Sequence, residues 1–461
     1  MSILGKDKVV YHFEKLNIMC YAFSQGKQVR EEIVTAEIAV LNKNAVALAA
    51  DSAITASLIT GKKISTSGNK LFALSYRHPV GIMIYNNTLL MEMPWETIIK
   101  TFRKTIPRTG FNTLEEYANK LIAFIETNYD LFPEEMRDRF ATSFISAAFI
   151  NVRSEIDSKV KAQIEKLGKI DDKSIESIVI SVIDEFATKW ENEKALPSLS
   201  IDQCRSVLLK KRPIFDQCVQ NMFKNIQIPQ DSLNKLFDVA VYNVLKATRN
   251  DLNTGVVIAG YGEKEFLPSA ISFTVDGIVD VKLMVCIKNT LKIDNYFSNL
   301  IIPYAQRDMV ELFVRGVDTQ YINEQKTKLN KMVNDYASKV VDIINLPEGD
   351  AKTKIKNQIL DVGTTLQNGY NQSMEAYIQT QFVSSISNVV SLLQKDQLAQ
   401  LAESLVTLTC QKRQFSTSEE TVKPPVDVAV ISKGDGFIWI QRKHYFKTEL
   451  NPQYLSLHHE T

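Results

Sequence analysis

Between Pro94 and Thr254 this chain holds only two glycines, Gly110 and Gly168, while the segments on either side are short, apolar and rich in β-branched residues. A helical block of that length, set between strand-like segments, separates two groups of strands in the sequence. Strand texture fades after Tyr85 and returns at Gly255. A second helical block runs to about Cys410, and strand texture returns again from Val426 to Gln441. Strands remote in sequence are therefore expected to share sheets, with the helices packed outside them. That is an α+β layered fold carrying two large helical insertions.

The individual elements follow from period and punctuation. Ala36 to Leu41 and Ala45 to Ala50 are two apolar runs joined by Asn42-Lys43-Asn44, the pattern of a hairpin. Further strands are expected at Lys70–Leu74, Val80–Tyr85, Gly255–Gly260, Ser269–Thr274 and Val281–Ile287. The last two, Val426–Ser432 and Phe437–Gln441, are turned by Lys433-Gly434-Asp435-Gly436. Gly260-Tyr261-Gly262 reads as a turn between strands rather than a phosphate cradle. Helices are expected from Pro94 to Thr101, behind Thr113 and Glu116 (capping-box spacing, with a stripe at Leu114, Tyr117, Leu121 and Phe124), and from Gln306 to Val314. The second block closes on a stripe at Leu398, Leu401, Leu405 and Leu408. The resulting division is 1–34, an N-terminal extension or propeptide; 35–93, the first strands; 94–253, a helical insertion; 254–317, further strands; 318–421, a second helical insertion; and 422–461, the last strands and a C-terminal tail.

Charge and cysteine usage narrow the classes of function. With 54 basic against 53 acidic side chains among 461 residues, the formal net charge is +1, which offers no electrostatic case for nucleic acid or an anionic membrane. Five scattered cysteines without a C-x-x-C pair, and only five histidines, argue against a disulfide framework and a metal centre. No cofactor is expected, and a reducing, cytoplasmic setting fits. No uncharged apolar stretch reaches the ~20 residues of a membrane-spanning helix. The short apolar run from Leu16 to Phe23 lacks a following small-residue cleavage site, so no signal peptide is expected.

The segment TAEIAVLNKNAVALAADSAIT, beginning at Thr35, resembles the start of a proteasome β-subunit and of the related bacterial ATP-dependent protease, members of the N-terminal-nucleophile (Ntn) hydrolase superfamily. In that family a mature N-terminal Thr opens the first strand and an Asp-Ser pair closes the second 16 residues later, the interval from Thr35 to Asp51-Ser52. Lys70 in NKLFAL matches the family's Lys, three residues beyond its usual spacing, and PVGIMIYNN matches the strand that borders the substrate. GVVIAGYGEKEFLPSAISFTVDG and PPVDVAVISKGDGFIWI resemble later strands of the family. Together these segments cover about a third of the chain, in the family's order.

The resemblance implies a four-layer αββα Ntn-hydrolase sandwich, with the helical blocks standing where the family has its helix pairs. It implies amide or peptide-bond hydrolysis, with Thr35 as nucleophile and, once its α-amino group is free, as its own base. Lys70 would favour the alkoxide and Asp51 would hold Lys70 in place. The backbone near Tyr85 and Asn86 would stabilise the oxyanion, and Met83 corresponds to a specificity-pocket position. A homo-oligomer and, by analogy only, an ATPase partner belong to the same picture.

The chain also departs from the family. Val34 precedes Thr35 where self-processing members have Gly, and Tyr85-Asn86 replaces a Gly pair. Pro303-Tyr304-Ala305 aligns with a Gly-Ser-Gly turn, and Ser416, Ser418, Glu419 and Glu420 are the candidates for a supporting Asp and Ser. Two alternatives therefore stand beside the hydrolase: a catalytically inactive, proteasome-like scaffold or peptide-binding protein, and a helix-rich interaction protein that displays its helical blocks to partners.

Overall fold

A computed structural model of the chain describes residues 35–58, 61–65, 68–192, 200–224, 226–245, 253–295, 297–344, 349–416, 424–444, 446, 450 and 451. The proposed extension, 1–34, lies outside the described residues. The fold is mixed α/β with antiparallel sheets.

In chain order the first strands are β1 (Ala36–Asn42), β2 (Val46–Ala50), the hairpin β3 (Ile54–Leu58) and β4 (Gly61–Ser65), β5 (Leu71–Ala73), β6 (Val80–Asn86) and the short pair β7 (Leu89–Leu90) and β8 (Met93–Pro94). The first helical block comprises α1 (Trp95–Arg103), α2 (Leu114–Thr127), α3 (Glu134–Leu167), α4 (Asp172–Asn192), α5 (Ile201–Lys210), α6 (Arg212–Met222) and α7 (Gln230–Leu245). Strands β9 (Thr254–Gly260), β10 (Ser269–Val279), β11 (Lys282–Lys292) and β12 (Asn299–Ala305) follow. The second block is α8 (Asp308–Arg315), α9 (Thr319–Ile343), α10 (Asp350–Ile378), a π-helical turn at Gln379–Val383, α11 (Ser384–Leu392) and α12 (Lys395–Gln414). Strands β13 (Asp427–Ser432) and β14 (Gly436–Gln441) close the fold.

Two five-stranded sheets gather strands remote in sequence, β12-β1-β2-β13-β14 in one and β11-β10-β9-β6-β5 in the other. Period-two alternation assigns the two faces of each strand. Along β1, Ala39 and Leu41 face the second sheet, while Ala36, Ile38 and Val40 pack with Leu398, Ala402 and Leu405 of α12. The alanines Ala47 and Ala49 of β2 leave that helix little side chain to clear. Along β6, Met83 faces the first sheet, while Ile82 and Ile84 pack with Trp95, Ile99 and Leu121 of α1 and α2. A separate core unites α3–α7 and takes in Val279 and Met284 from the far ends of β10 and β11. Each helical block therefore contains helices that cover a sheet as well as helices that extend beyond it.

Several elements differ from the sequence reading. Pro303-Tyr304-Ala305 ends a strand, β12, which that reading did not include; β12 is an edge strand, where proline is tolerated. The hairpin β3–β4 lies where the sequence reading placed no strand. Thr113 caps α2 by accepting from the Glu116 N–H at 3.2 Å, but Glu116 reaches back to the Asn112 N–H at 3.0 Å, so the box is displaced by one residue. In α12 the buried face runs through Leu398, Ala402, Leu405 and Thr409, and Leu408 turns to solvent. Among the described residues, no helix is long and apolar enough to cross a membrane.

Candidate active site

Thr35 stands at the threshold of β1, and the strand's alternation places the side chain two residues on, Glu37, on the same face. The Thr35 hydroxyl donates to Glu37 Oε2 at 2.9 Å. Asp51 follows β2 and is fixed from both sides. Its N–H donates to the Ala36 carbonyl at 3.1 Å, and its Oδ1 and Oδ2 accept from the N–H groups of Ala36 and Ala53, each at 3.0 Å. Lys70, just before β5, places Nζ 2.6 Å from Asp51 Oδ1 and 3.1 Å from Glu37 Oε1. Thr35, Asp51 and Lys70, expected from the sequence to form one site, meet here.

These groups are removed from water: Thr35 is 3%, Glu37 2%, and Asp51 and Lys70 0% exposed. Two carboxylates and one ammonium in such a place cannot all be charged without an excess negative charge, and the strain falls on Glu37. Burial first, and then the Asp51 carboxylate, push its pKa up to about 8 against the pull of Lys70. Burial alone would lower the pKa of Lys70, but the attraction of Asp51 and Glu37 outweighs it and holds the ammonium above its ordinary range. A second buried pair lies one strand away, where Lys443 bonds Asp427 through both its N–H, at 2.8 Å, and its ammonium.

The strand expected to border the site does so through backbone. The Asn86 N–H points at Thr35 Oγ1 from 3.4 Å, and Asn86 takes a left-handed conformation (φ 69°) that Asn tolerates better than most residues. Its side-chain amide donates to Asn253 at 2.8 Å and 3.1 Å. On the opposite side, the Gln306 N–H donates to the Thr35 carbonyl at 3.2 Å, immediately after Ala305, also left-handed at φ 64°. Tyr85 stacks on Tyr304 with centroids 5.6 Å apart and lies across its cross-strand partner Gly255. Met83 is fully buried between the sheets. Ser416 donates its hydroxyl to the Arg413 carbonyl at the end of α12, and Ser418, Glu419 and Glu420 lie outside the described residues.

Sequence reasoning missed Glu37. Its signal was a carboxylate at an inward position of the otherwise apolar run AEIAVL, two residues beyond the proposed nucleophile. The long spacing to Lys70 also has a structural reason. The β3–β4 hairpin leaves and returns to one point, where the Gly68 N–H donates to the Ser52 carbonyl at 3.1 Å. Extra residues there lengthen the chain without moving Lys70.

Chemically, the arrangement offers a hydroxyl bonded to a carboxylate, an ammonium behind that carboxylate, and a backbone N–H in front of the hydroxyl. Among the described residues, no group of three or more His, Cys, Asp or Glu side chains is placed to hold a metal ion.

No protein-family model matches the chain, and no curated protein matches it significantly. Among solved structures, a Gly-1 mutant of Anbu from Hyphomicrobium sp. strain MC1 is similar over 92% of this chain and 96% of that one, at 9% identity and a TM-score of 0.27.

Proposed function

We propose that this chain is a proteasome-like Ntn hydrolase that cleaves an amide or peptide bond through an acyl ester on Thr35. The observation that carries this reading is the meeting of Thr35, Asp51 and Lys70 in one buried cluster, with the Asn86 N–H aimed at the Thr35 hydroxyl. The packing supports it as well, since helices, sheet, sheet and helices follow one another across the three core clusters in the order of an αββα sandwich. In this reading Thr35 Oγ1 attacks the carbonyl carbon and the Asn86 N–H steadies the oxygen that becomes negative. Lys70, held by Asp51, favours negative charge on Oγ1.

Assaying the purified protein on a panel of fluorogenic peptide amides tests the proposal. Thr35→Ala is expected to bring turnover to background and Lys70→Met to lower it by roughly 10²–10³. Hydrolysis that persists unchanged in Thr35→Ala would overturn the proposal. The second reading is the inactive scaffold, favoured by the 3% exposure of Thr35 and by Tyr304 standing where the family has its supporting Ser. It predicts no turnover in any form of the wild-type chain.

A further inference from the structure

We propose that the carboxylate of Glu37 is the base that activates Thr35, so that the hydroxyl can react in a chain that still carries residue 34. This inference rests on the reading of Thr35 as nucleophile. The hydroxyl already donates to Glu37 Oε2 at 2.9 Å, the contact a base needs before proton transfer. Glu37 leaves β1, which is paired on both sides by β2 and β12, and Thr35 stands one residue before that strand with its carbonyl held by the Gln306 N–H at 3.2 Å, so both side chains are positioned by paired backbone. Serving only as a counter-ion to Lys70 does not account for Glu37, because Asp51 already pairs with that ammonium at 2.6 Å. A second carboxylate buried there raises the desolvation cost of the cluster, which an apolar side chain in this strand would avoid. Buried carboxylates with shifted pKa values gather where protons are moved.

The step balances within the site. Glu37 takes the Oγ1 proton as Oγ1 bonds to the substrate carbonyl carbon, and the carbonyl π pair moves to the oxygen beside the Asn86 N–H. The intermediate collapses by re-forming the carbonyl and breaking the C–N bond, and the proton on Glu37 passes to the departing amine. Water then attacks the Thr35 ester, giving its proton to Glu37. Glu37 returns that proton to Oγ1 as the acid product leaves.

The experiment compares two electrophiles on the full-length protein: a β-lactone, which acylates a hydroxyl, and a peptide epoxyketone, which closes a ring on a hydroxyl and a free α-amine of the same residue. Intact mass and peptide mapping report which residue is labelled and whether residue 34 is attached. The expected result is β-lactone labelling of Thr35 in chains retaining Val34, without epoxyketone labelling of those chains. Labelling should slow by roughly 10²-fold or more in Glu37→Gln and vanish in Thr35→Ala.

A wild-type pH series gives the same test without a variant. The groups bearing on Glu37 are the Thr35 hydroxyl, Asp51 beyond β2, Lys70 before β5, Tyr304 across from it on β12 (itself facing Tyr85 of β6), Cys410 of α12, and Lys443, paired with Asp427, through its influence on Lys70 and Asp51. Labelling of chains retaining Val34 should rise about tenfold per pH unit below the Glu37 ionisation and level above it. Labelling confined to chains that begin at Thr35, an unchanged rate in Glu37→Gln, or a flat pH series would overturn this inference and leave the Thr35 reading standing. Absence of label on Thr35 in every wild-type form would overturn both.

Discussion

Ala305 and Asn86 hold left-handed backbone on either side of Thr35, and their carbon branches oppose that conformation. For an ordinary L-residue it costs roughly 1–2 kcal/mol, and such outliers persist where surrounding contacts insist on them. Here the contacts are the N–H of Asn86 on Thr35 Oγ1 and the N–H of Gln306 on the Thr35 carbonyl. Ala305→Gly should therefore stabilise the fold by about 1 kcal/mol in urea unfolding, since glycine meets no Cβ penalty there. The raised pKa of Glu37 adds a dependence on pH. The folded chain keeps a proton on Glu37 that the unfolded chain releases near pH 4.5, so this contribution is complete below 4.5 and is lost as the pH climbs through about 8. Each unit in that window should cost up to about 1.4 kcal/mol of stability, and Glu37→Gln should flatten the slope. Thr35, Asp51 and Lys70 could be grouped from the sequence because the resemblance supplied their types and the interval from Thr35 to Asp51, although Lys70 lies three residues beyond the family's spacing. Glu37 was not legible in that way, because its role depends on which face of β1 it shares, and only the folded sheet shows that.

Among the elements, Tyr85 shows why the two central sheets fit together closely. Its ring covers Gly255, its partner across β6 and β9, and a methyl group at Gly255 would come within 1.9 Å of the ring. Gly255→Ala must displace Tyr85 from both Gly255 and Tyr304, so a loss of about 1–3 kcal/mol is expected in thermal or urea unfolding, with changed near-UV circular dichroism. Arg137 joins elements in a different way. Buried at the start of α3, it donates to the carbonyls of Phe132 (2.8 Å), Asp280 (2.6 Å) and Glu126 (3.3 Å), tying α2, α3 and the β10–β11 turn together. The strongly periodic helices and the β-branched strands were readable because burial on one face leaves a pattern in the sequence. Strand β12 was hidden by Pro303, which the edge of a sheet accepts, and β3–β4 by their polar composition. In α12 period alone did not reveal that the buried face veers from Leu401 and Leu408 toward Ala402 and Thr409, since alanine and threonine carry a weak apolar signal.

The whole molecule separates what the sheets need from what is added to them. Helices α9 and α10 lie against each other as a hairpin, joined by Gln325 to the Tyr370 hydroxyl at 3.0 Å and Gln367 to the Lys326 carbonyl at 3.4 Å, while Arg315 at the end of α8 ties that helix to Glu375 of α10 at 2.9 Å. Their few buried side chains, such as Ala337 and Val341, belong to none of the four core clusters. Outward they present Tyr321, Met332, Tyr336, Val362 and Leu366, all exposed. Stability should therefore reside in the sheets and the helices that cover them, with the hairpin contributing its own helix–helix contact. Because residues 325 and 370 touch, replacing the segment between them with a short glycine-rich turn closes the chain without stretching it. The shortened protein should keep one cooperative unfolding transition within a few tenths of the parent's midpoint in urea, and the same β-lactone labelling rate at Thr35. Loss of cooperative folding would show that the hairpin is part of the core. Retained folding with lost labelling would instead tie it to access to Thr35.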